Sequence, residues 1–580
     1  MSRPTDPTTD IRRAATGVLN GVKDILDPAA LAARIDPVAF GGALGEAARG
    51  LLAKPLPVAR RTAGLAGGSG RATLAAFARS LGGHGAGPAP LPDKDRRYAD
   101  PAWETNAYYY LLRQQHALFA EYLEEVAGGV ELSATSRRKI DFLVQQAIEA
   151  TSPVNWPWSN PAMVKKAFET GGHSLLRGTR NMLRDSLTSG GMPRQTTPGE
   201  FEVGKDLAAT PGVVVFRNRL IELIQYKPQT EQVHEIPLLL SPPWINKYYI
   251  MDLAPGKSLV EWAVQHGHTV FVISYRNPDE SLREVTMSDY MQEGPLAALD
   301  AVQDVTGAAT VNVAALCLGG TLAAATAAWL AARGDERINS ITLMNTLLDF
   351  SEPGLLGVFT DETTVARLER TMRRTGYLPA SSMKTTFDLL RATDLVWNYV
   401  INDWLLGEEP AAFDMLAWNS DSTRMPAAMQ AEYLRTCYLE NRLAEGKMEL
   451  AGERLDLGAV TQDAYVVSAE ADHIAPWRSV YRGLRHLGGT VRFVLSNSGH
   501  IAGVVNPPSP KSKHWFGEAE VLPESADEWR DDAGEHRASW WEDWTPWIAE
   551  RAGDLTAPPR LGSEAHPVLA AAPGSYVLGS

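Results

Sequence analysis

Cys317, Asp472 and His500 are the residues with which this chain of 580 amino acids could carry out covalent chemistry. Each comes just after a short apolar run: Val311-Asn-Val-Ala-Ala-Leu-Cys317-Leu-Gly-Gly320, Ala464-Tyr-Val-Val-Ser-Ala-Glu-Ala-Asp472-His473 and Val491-Arg-Phe-Val-Leu-Ser-Asn-Ser-Gly-His500. A free thiol is only a few per cent thiolate at neutral pH, so a nucleophilic Cys needs an imidazole to take its proton. The imidazole needs a carboxylate to hold it in the right tautomer. Nucleophile, base and acid together are the equipment of acyl transfer through an acyl-cysteine. Glu470 competes with Asp472 for the acid, but Asp is shorter and stands at the loop apex. His473 reads equally as a substrate contact or a turn residue.

The elements that must position these residues are legible around them. A β-branched strand, a Cys, two glycines and an Ala-rich helical segment to Ala332 form a nucleophile elbow. The turn needs small neighbours because the nucleophile occupies a strained backbone conformation. Gly319 and Gly320 supply them on one side, and Ala315 stands where Gly is usual on the other. The order Cys, Asp, His, each beyond a strand, is that of the α/β-hydrolase fold. An oxyanion hole would take one backbone N–H from Leu318, just after the nucleophile. The second belongs in Leu240-Ser-Pro-Pro-Trp-Ile-Asn246, and since proline has no N–H the donor is Trp244 or Ile245.

The remaining sequence sets the frame. Residues 1–95 read as a loose Ala/Gly-rich segment, with amphipathic helices over Ala14–Leu52 and a mobile linker over Gly64–Pro92. Residues 96–205 read as a helical domain. Residues 206–580 read as an α/β catalytic domain. It opens on a hairpin, Gly212–Phe216 with Leu220–Ile224, and continues with strands near 237–240, 270–273, 311–316, 338–343, 464–468 and 491–495. Helical spacers between the strands imply a largely parallel sheet. At about 350–450 the alternation stops for a helical, aromatic stretch, which reads as a cap inserted over the site.

Composition excludes several classes. A net charge of −14 argues against nucleic-acid binding. Two cysteines, Cys317 and Cys437, point to a reducing compartment, with Cys437 in a helical pattern as a core residue. No apolar run is long enough for a transmembrane helix. The first residues lack a signal-peptide layout. No His or Cys pair has metal-ligand spacing, so neither a metal nor a cofactor is expected.

Longer motifs carry a specific likeness. Pro242-Pro-Trp-Ile-Asn-Lys-Tyr-Tyr-Ile-Met-Asp-Leu253, Gly267-His-Thr-Val-Phe271, Arg276-Asn-Pro-Asp279, the Cys317 box, Thr346-Leu-Leu-Asp-Phe350, Trp418-Asn-Ser-Asp421, Ser498-Gly-His-Ile-Ala-Gly503 and Ser539-Trp-Trp-Glu-Asp-Trp-Thr-Pro-Trp547 resemble the polyhydroxyalkanoate synthases. The likeness runs from about Tyr98 to Val577 and is nearest the single-subunit, short-chain-length class I. Ala315 departs from it, since that position is normally Gly. The resemblance implies polymerisation of (R)-3-hydroxyacyl-CoA, such as 3-hydroxybutyryl-CoA, into polyester with release of CoA. Cys317 would carry the acyl group and His500 would be its base, while Asp472 would orient His500 or act on the incoming hydroxyl. It also implies a cytoplasmic homodimer on the surface of the polymer granule, with an apolar N-terminal segment or the C-terminal Trp cluster making those contacts. The rival readings are a Cys-based thioesterase or depolymerase, and a non-catalytic granule protein with a decayed elbow.

Overall fold

The computed structural model describes residues 37–579 apart from 84, 92–94, 190, 198 and 518–521. The chain divides into two compact units. One holds residues 1–197 with 385–412, and the other holds 198–384 with 413–580.

The first unit is helical. Its principal helices are α1 (Pro37–Ala53), α2 (Pro55–Ser80), α3 (Ala107–Gly128), α4 (Ala134–Ala150) and α5 (His173–Thr188). Asn106 caps α3 and Ser133 caps α4, each accepting from backbone N–H groups of the first turn. The stretch expected to be a linker over Gly64–Pro92 is instead helical as far as Ser80. Packing overrides the poor helix propensity of its glycines. A Cβ at Gly68 would stand 2.9 Å from Leu118, so Gly68 lets α2 approach α3 closely. Of the helices expected over Ala14–Leu52, α1 covers the part from Pro37, and residues 14–36 lie outside the described residues.

The inserted stretch after residue 350 is divided between the two units. Residues 385–412 cluster with the N-terminal helices and the flanks stay with the catalytic unit. Within the first unit, the Asn181 side chain on α5 donates to the Asp403 carbonyl at 3.3 Å, and the Trp404 indole donates to Asp185 at 3.0 Å.

The second unit is built on an eleven-stranded sheet. Its strands are β1 (Gly212–Arg217), β2 (Ile221–Tyr226), β3 (Leu238–Ser241), β4 (Val270–Tyr275), β5 (Val311–Leu316), β6 (Ile338–Met344), β7 (Asp463–Ala469), β8 (Val491–Ser496), β9 (His514–Phe516), β10 (Gly534–His536) and β11 (Ala570–Ala571). The order across the sheet is β10-β9-β8-β7-β6-β5-β3-β4-β2-β1-β11. The six central strands, β8 to β4, are parallel, and the strands at both ends are antiparallel. Every residue of β5 is buried, which is why that strand reads as a continuous apolar run. The crossover helices α6 (Leu259–Gln265), α7 (Ala297–Thr306) and α8 (Leu318–Ala332) return the chain between parallel strands. The C-terminal helix α9 (Trp540–Ala549) buries its four tryptophans against the sheet core. The Trp cluster is therefore core packing and not an outward contact surface.

Candidate active site

β5 ends at Leu316 and α8 begins at Leu318, so Cys317 alone makes the turn between strand and helix. Its φ of 53° and ψ of −119° lie where a non-glycine residue is strained. The strain is held from both sides. The Cys317 N–H donates to the Met344 carbonyl at 2.8 Å, and the Cys317 carbonyl accepts from Gly320 at 2.9 Å and Thr321 at 3.1 Å. The thiol is half-buried and not in a disulfide.

The loop after β8 places His500 against the loop after β7. His500 Nδ1 donates to Asp472 Oδ2 at 2.6 Å, with both side chains buried. Asp472 Oδ1 accepts from the Ile474 and Ala475 N–H groups at 2.8 and 2.9 Å. Both oxygens of the carboxylate are thus engaged. Glu470, the competing acid, is exposed and pairs with Arg530 at 3.5 Å. Because a carboxylate can only accept, Nδ1 carries the ring proton and the other ring nitrogen is left for the Cys317 thiol. Cys317 is close enough to the imidazole to bear on its protonation. Burial alone would push His500 down. The charges of Asp472 and Cys317, and the hydrogen bond to Asp472, overcome it and hold the imidazole well above the ordinary histidine value.

The loop expected to supply the second oxyanion donor lies against the start of α8. A Cβ at Gly319 would stand 2.2 Å from the Ser241 carbonyl oxygen and 2.6 Å from that of Pro242. Trp244 is buried, and its carbonyl accepts from the Thr423 hydroxyl at 2.9 Å, while Ile245 is half-buried. The N–H of Leu318 is in the first turn of α8, where no helix carbonyl precedes it to accept. His473 sits at the bend that follows Asp472, half-buried, and its carbonyl accepts from Leu355 at 3.4 Å.

Three residues at the site were not singled out from the sequence. Asn345, at φ 45°, donates from its side chain to the His500 carbonyl and clamps the histidine loop. Tyr433 and Tyr438, from the inserted stretch, form an aromatic wall with Trp244 and Phe350, with ring centroids 5.0–6.2 Å apart. Burial first holds both tyrosine hydroxyls above their ordinary value, and each also feels the charge of Cys317. Asn345 directly precedes the Thr346 motif, and a residue that takes positive φ at a strand end is a usable signal. The tyrosines carried none beyond aromatic composition. Cys437 is fully buried, and burial pushes its thiol up to about 12, so it stays protonated. Among the described residues no group of three or more His, Cys, Asp or Glu could hold a metal ion.

Comparison with known proteins decides the family. A polymerase from Methylorubrum extorquens, "Poly(3-hydroxyalkanoate) polymerase", is 45% identical over 84% of this chain and 81% of its own. The chain belongs to the poly(3-hydroxyalkanoate) polymerase family. The corresponding PhaC subunit of Cupriavidus necator is 43% identical over 84% of this chain and 83% of its own, and polymerase 1 of Ectopseudomonas oleovorans is 41% identical over 84% and 87%. The family described as "Poly-beta-hydroxybutyrate polymerase (PhaC) N-terminus" matches residues 94–263. The alpha/beta hydrolase fold matches residues 237–507, which span the parallel strands and all three residues of the candidate triad.

Proposed function

We propose that this enzyme polymerises (R)-3-hydroxyacyl-CoA, of the 3-hydroxybutyryl class, into polyester through an acyl-Cys317 intermediate. The observation that carries this reading is the relay Cys317–His500–Asp472 on an elbow at positive φ, within a chain of this family.

In the first half-reaction His500 takes the thiol proton and the Cys317 sulfur attacks the thioester carbonyl. The Leu318 N–H, with that of Trp244 or Ile245, steadies the oxyanion. The C–S bond to CoA breaks, and His500 returns its proton to the departing thiolate. In the second half-reaction His500 accepts the proton of an incoming 3-hydroxyl, whose oxygen attacks the acyl-cysteine. The ester forms, and Cys317 leaves as thiolate and regains its proton from His500. A thioester suits this repeated exchange because thiolate is a good leaving group. With both Asp472 oxygens engaged, the geometry supports its orienting His500 over its acting directly on the hydroxyl. The buried aromatic wall beside Cys317 favours transfer to a hydroxyl over loss of the acyl group to water.

The enzyme needs no cofactor in this scheme, works as a cytoplasmic homodimer, and stays with the granule it makes. Among the described residues no helix is long and apolar enough to cross a membrane. The test is CoA release from (R)-3-hydroxybutyryl-CoA with the product examined for polyester. Free hydroxy acid in place of polymer would make it a thioesterase, and no CoA release would make it a non-catalytic protein.

A further inference from the structure

The helix α2 has two opposite faces. One packs on α3 through Gly68, Ala72 and Ala76, all buried. The other carries Leu56, Ala59, Ala63, Gly67, Gly70, Leu74, Phe77 and, just past the helix end, Leu81, at steps of three and four residues, all exposed. That spacing follows one side of a 3.6-residue helix. The four large members, Leu56, Leu74, Phe77 and Leu81, are between 63% and 75% exposed. Scattered exposed leucines are ordinary, but a continuous stripe along one 26-residue helix is not.

The charge on this helix has one sign. Residues 55–80 contain Arg60, Arg61, Arg71 and Arg79 and no Asp or Glu, in a chain whose net charge is −14. Arg61 and Arg79 are turned to the protein: Arg61 lies 3.8 Å from Glu125, and Arg79 stacks over Tyr110. Arg60 and Arg71 are exposed, and neither has an acidic partner among the described residues. On a helical projection both fall on one side of the apolar stripe, about 60–80° from its centre. An exposed apolar stripe edged by unpaired arginines is the pattern of a helix lying in a lipid–water interface, its apolar side chains in the acyl boundary and its cations on phosphates. A second copy packed on the same stripe would bring like charges together, with no acid on α2 to meet them.

We propose that the outer face of α2 docks this enzyme on an anionic phospholipid surface, with Leu74, Phe77 and Leu81 inserted and Arg60 and Arg71 on the headgroup phosphates. This is separate from the reading of Cys317 and does not depend on it.

The test uses the full chain in flotation with vesicles of 7:3 phosphatidylcholine to phosphatidylglycerol, beside pure phosphatidylcholine vesicles and amorphous polyester particles. The variants are Leu74→Ser/Phe77→Ser/Leu81→Ser and Arg60→Gln/Arg71→Gln, with circular dichroism and CoA release as checks that the fold persists. The wild type should float with anionic vesicles and much less with neutral ones. The triple variant should lose at least about tenfold in affinity, and the double variant should lose severalfold, the loss growing as salt is lowered. No flotation, or flotation that neither variant reduces, overturns the proposal. Equal binding to neutral vesicles overturns it too, because the arginines would then have no role. If the variants lose only polyester binding, or only self-association, the stripe belongs to that partner and the lipid proposal falls.

Discussion

A methyl group on Gly319 would stand 2.2 Å from the carbonyl oxygen of Ser241, inside any permitted contact. The obstacle is backbone, at the end of a central strand, and so cannot swing aside. Gly319→Ala should therefore force α8 and the 241–245 loop apart, moving the Leu318 N–H relative to the second oxyanion donor. A displacement of about 1 Å costs on the order of a hundredfold in rate. CoA release should fall by about that factor while the helical unit keeps its circular dichroism. At Gly320 the obstacle at 2.0 Å is the Thr346 hydroxyl, so Gly320→Ala should be partly rescued by Thr346→Ala and Gly319→Ala should not. Equal rescue of both would contradict this geometry.

The two cysteines should separate cleanly. Cys317→Ala should abolish CoA release and leave the fold intact, and Cys317→Ser should be nearly inactive because His500 would face a far less acidic hydroxyl. Cys437→Ala removes one buried atom from a core site, and about 1 kcal/mol of stability with no loss of specific activity is expected. Polymer made by Cys317→Ala would end the covalent mechanism.

Asp472→Asn should fail through the tautomer. The two backbone N–H groups of Ile474 and Ala475 would hold the amide oxygen, turning its NH2 towards His500 Nδ1. The ring proton would then face Cys317, where an acceptor is needed, and kcat should drop about a thousandfold or more. Stability should change with pH in a defined sense. His500 is held above its unfolded value of about 6.5, so this stabilisation is fully present below that pH and is lost as pH rises through the folded value. The stability gap between wild type and Asp472→Asn, followed by urea unfolding, should be wider at pH 6 than at high pH. A gap that widens towards alkaline pH would show the pair is not holding a proton.

How much of this could be read from the sequence depended on what fixes each position. Cys317, Asp472 and His500 each stand within a few residues of a buried strand end, and strand ends are marked by local pattern. Tyr433 and Tyr438 reach Cys317 from an insertion whose path over the site has no local signature. The α2 helix was masked by composition. Each glycine lowers helix propensity by about 1 kcal/mol, yet here Gly68 is what allows the close packing on Leu118. Nor does any local pattern show that residues 385–412 of the inserted stretch pack with α5.

His268 gives a second pH dependence, of opposite sign. It is 1% exposed, stacked on His234 at 4.9 Å, and among the described residues neither ring nitrogen has a hydrogen-bond partner. Burial, followed by the charges of His234 and His266, lowers it to about 3. The unfolded chain takes up this proton near pH 6.5 and the folded chain refuses it, so stability is lost as pH falls from 6.5 towards 3. The loss approaches about 1.4 kcal/mol per pH unit. His268→Phe keeps an aromatic ring against Trp544 and removes the titration. Its stability should fall less than that of wild type between pH 6.5 and 4.5, measured by chemical unfolding. Parallel curves would show that His268 gains its proton without cost.

Ala315 tests whether the elbow has adapted to its extra methyl. The residue is fully buried in β5, opposite Ser241 on one side and Leu343 on the other. Both ladders keep their register through this position, and β5 runs without a break into the Cys317 turn. The Cys317 N–H still reaches Met344, so the methyl has not pulled the nucleophile from its seat. Ala315→Gly would leave that seat unchanged, remove a buried methyl and add backbone freedom to a strand interior. About 1 kcal/mol of stability should be lost, with turnover unchanged. The measurement is CoA release together with the urea midpoint on the same preparation. A clear rise in turnover would mean that the methyl does crowd α8 and holds the enzyme back. A loss of stability alone is what a core already packed around Ala315 requires.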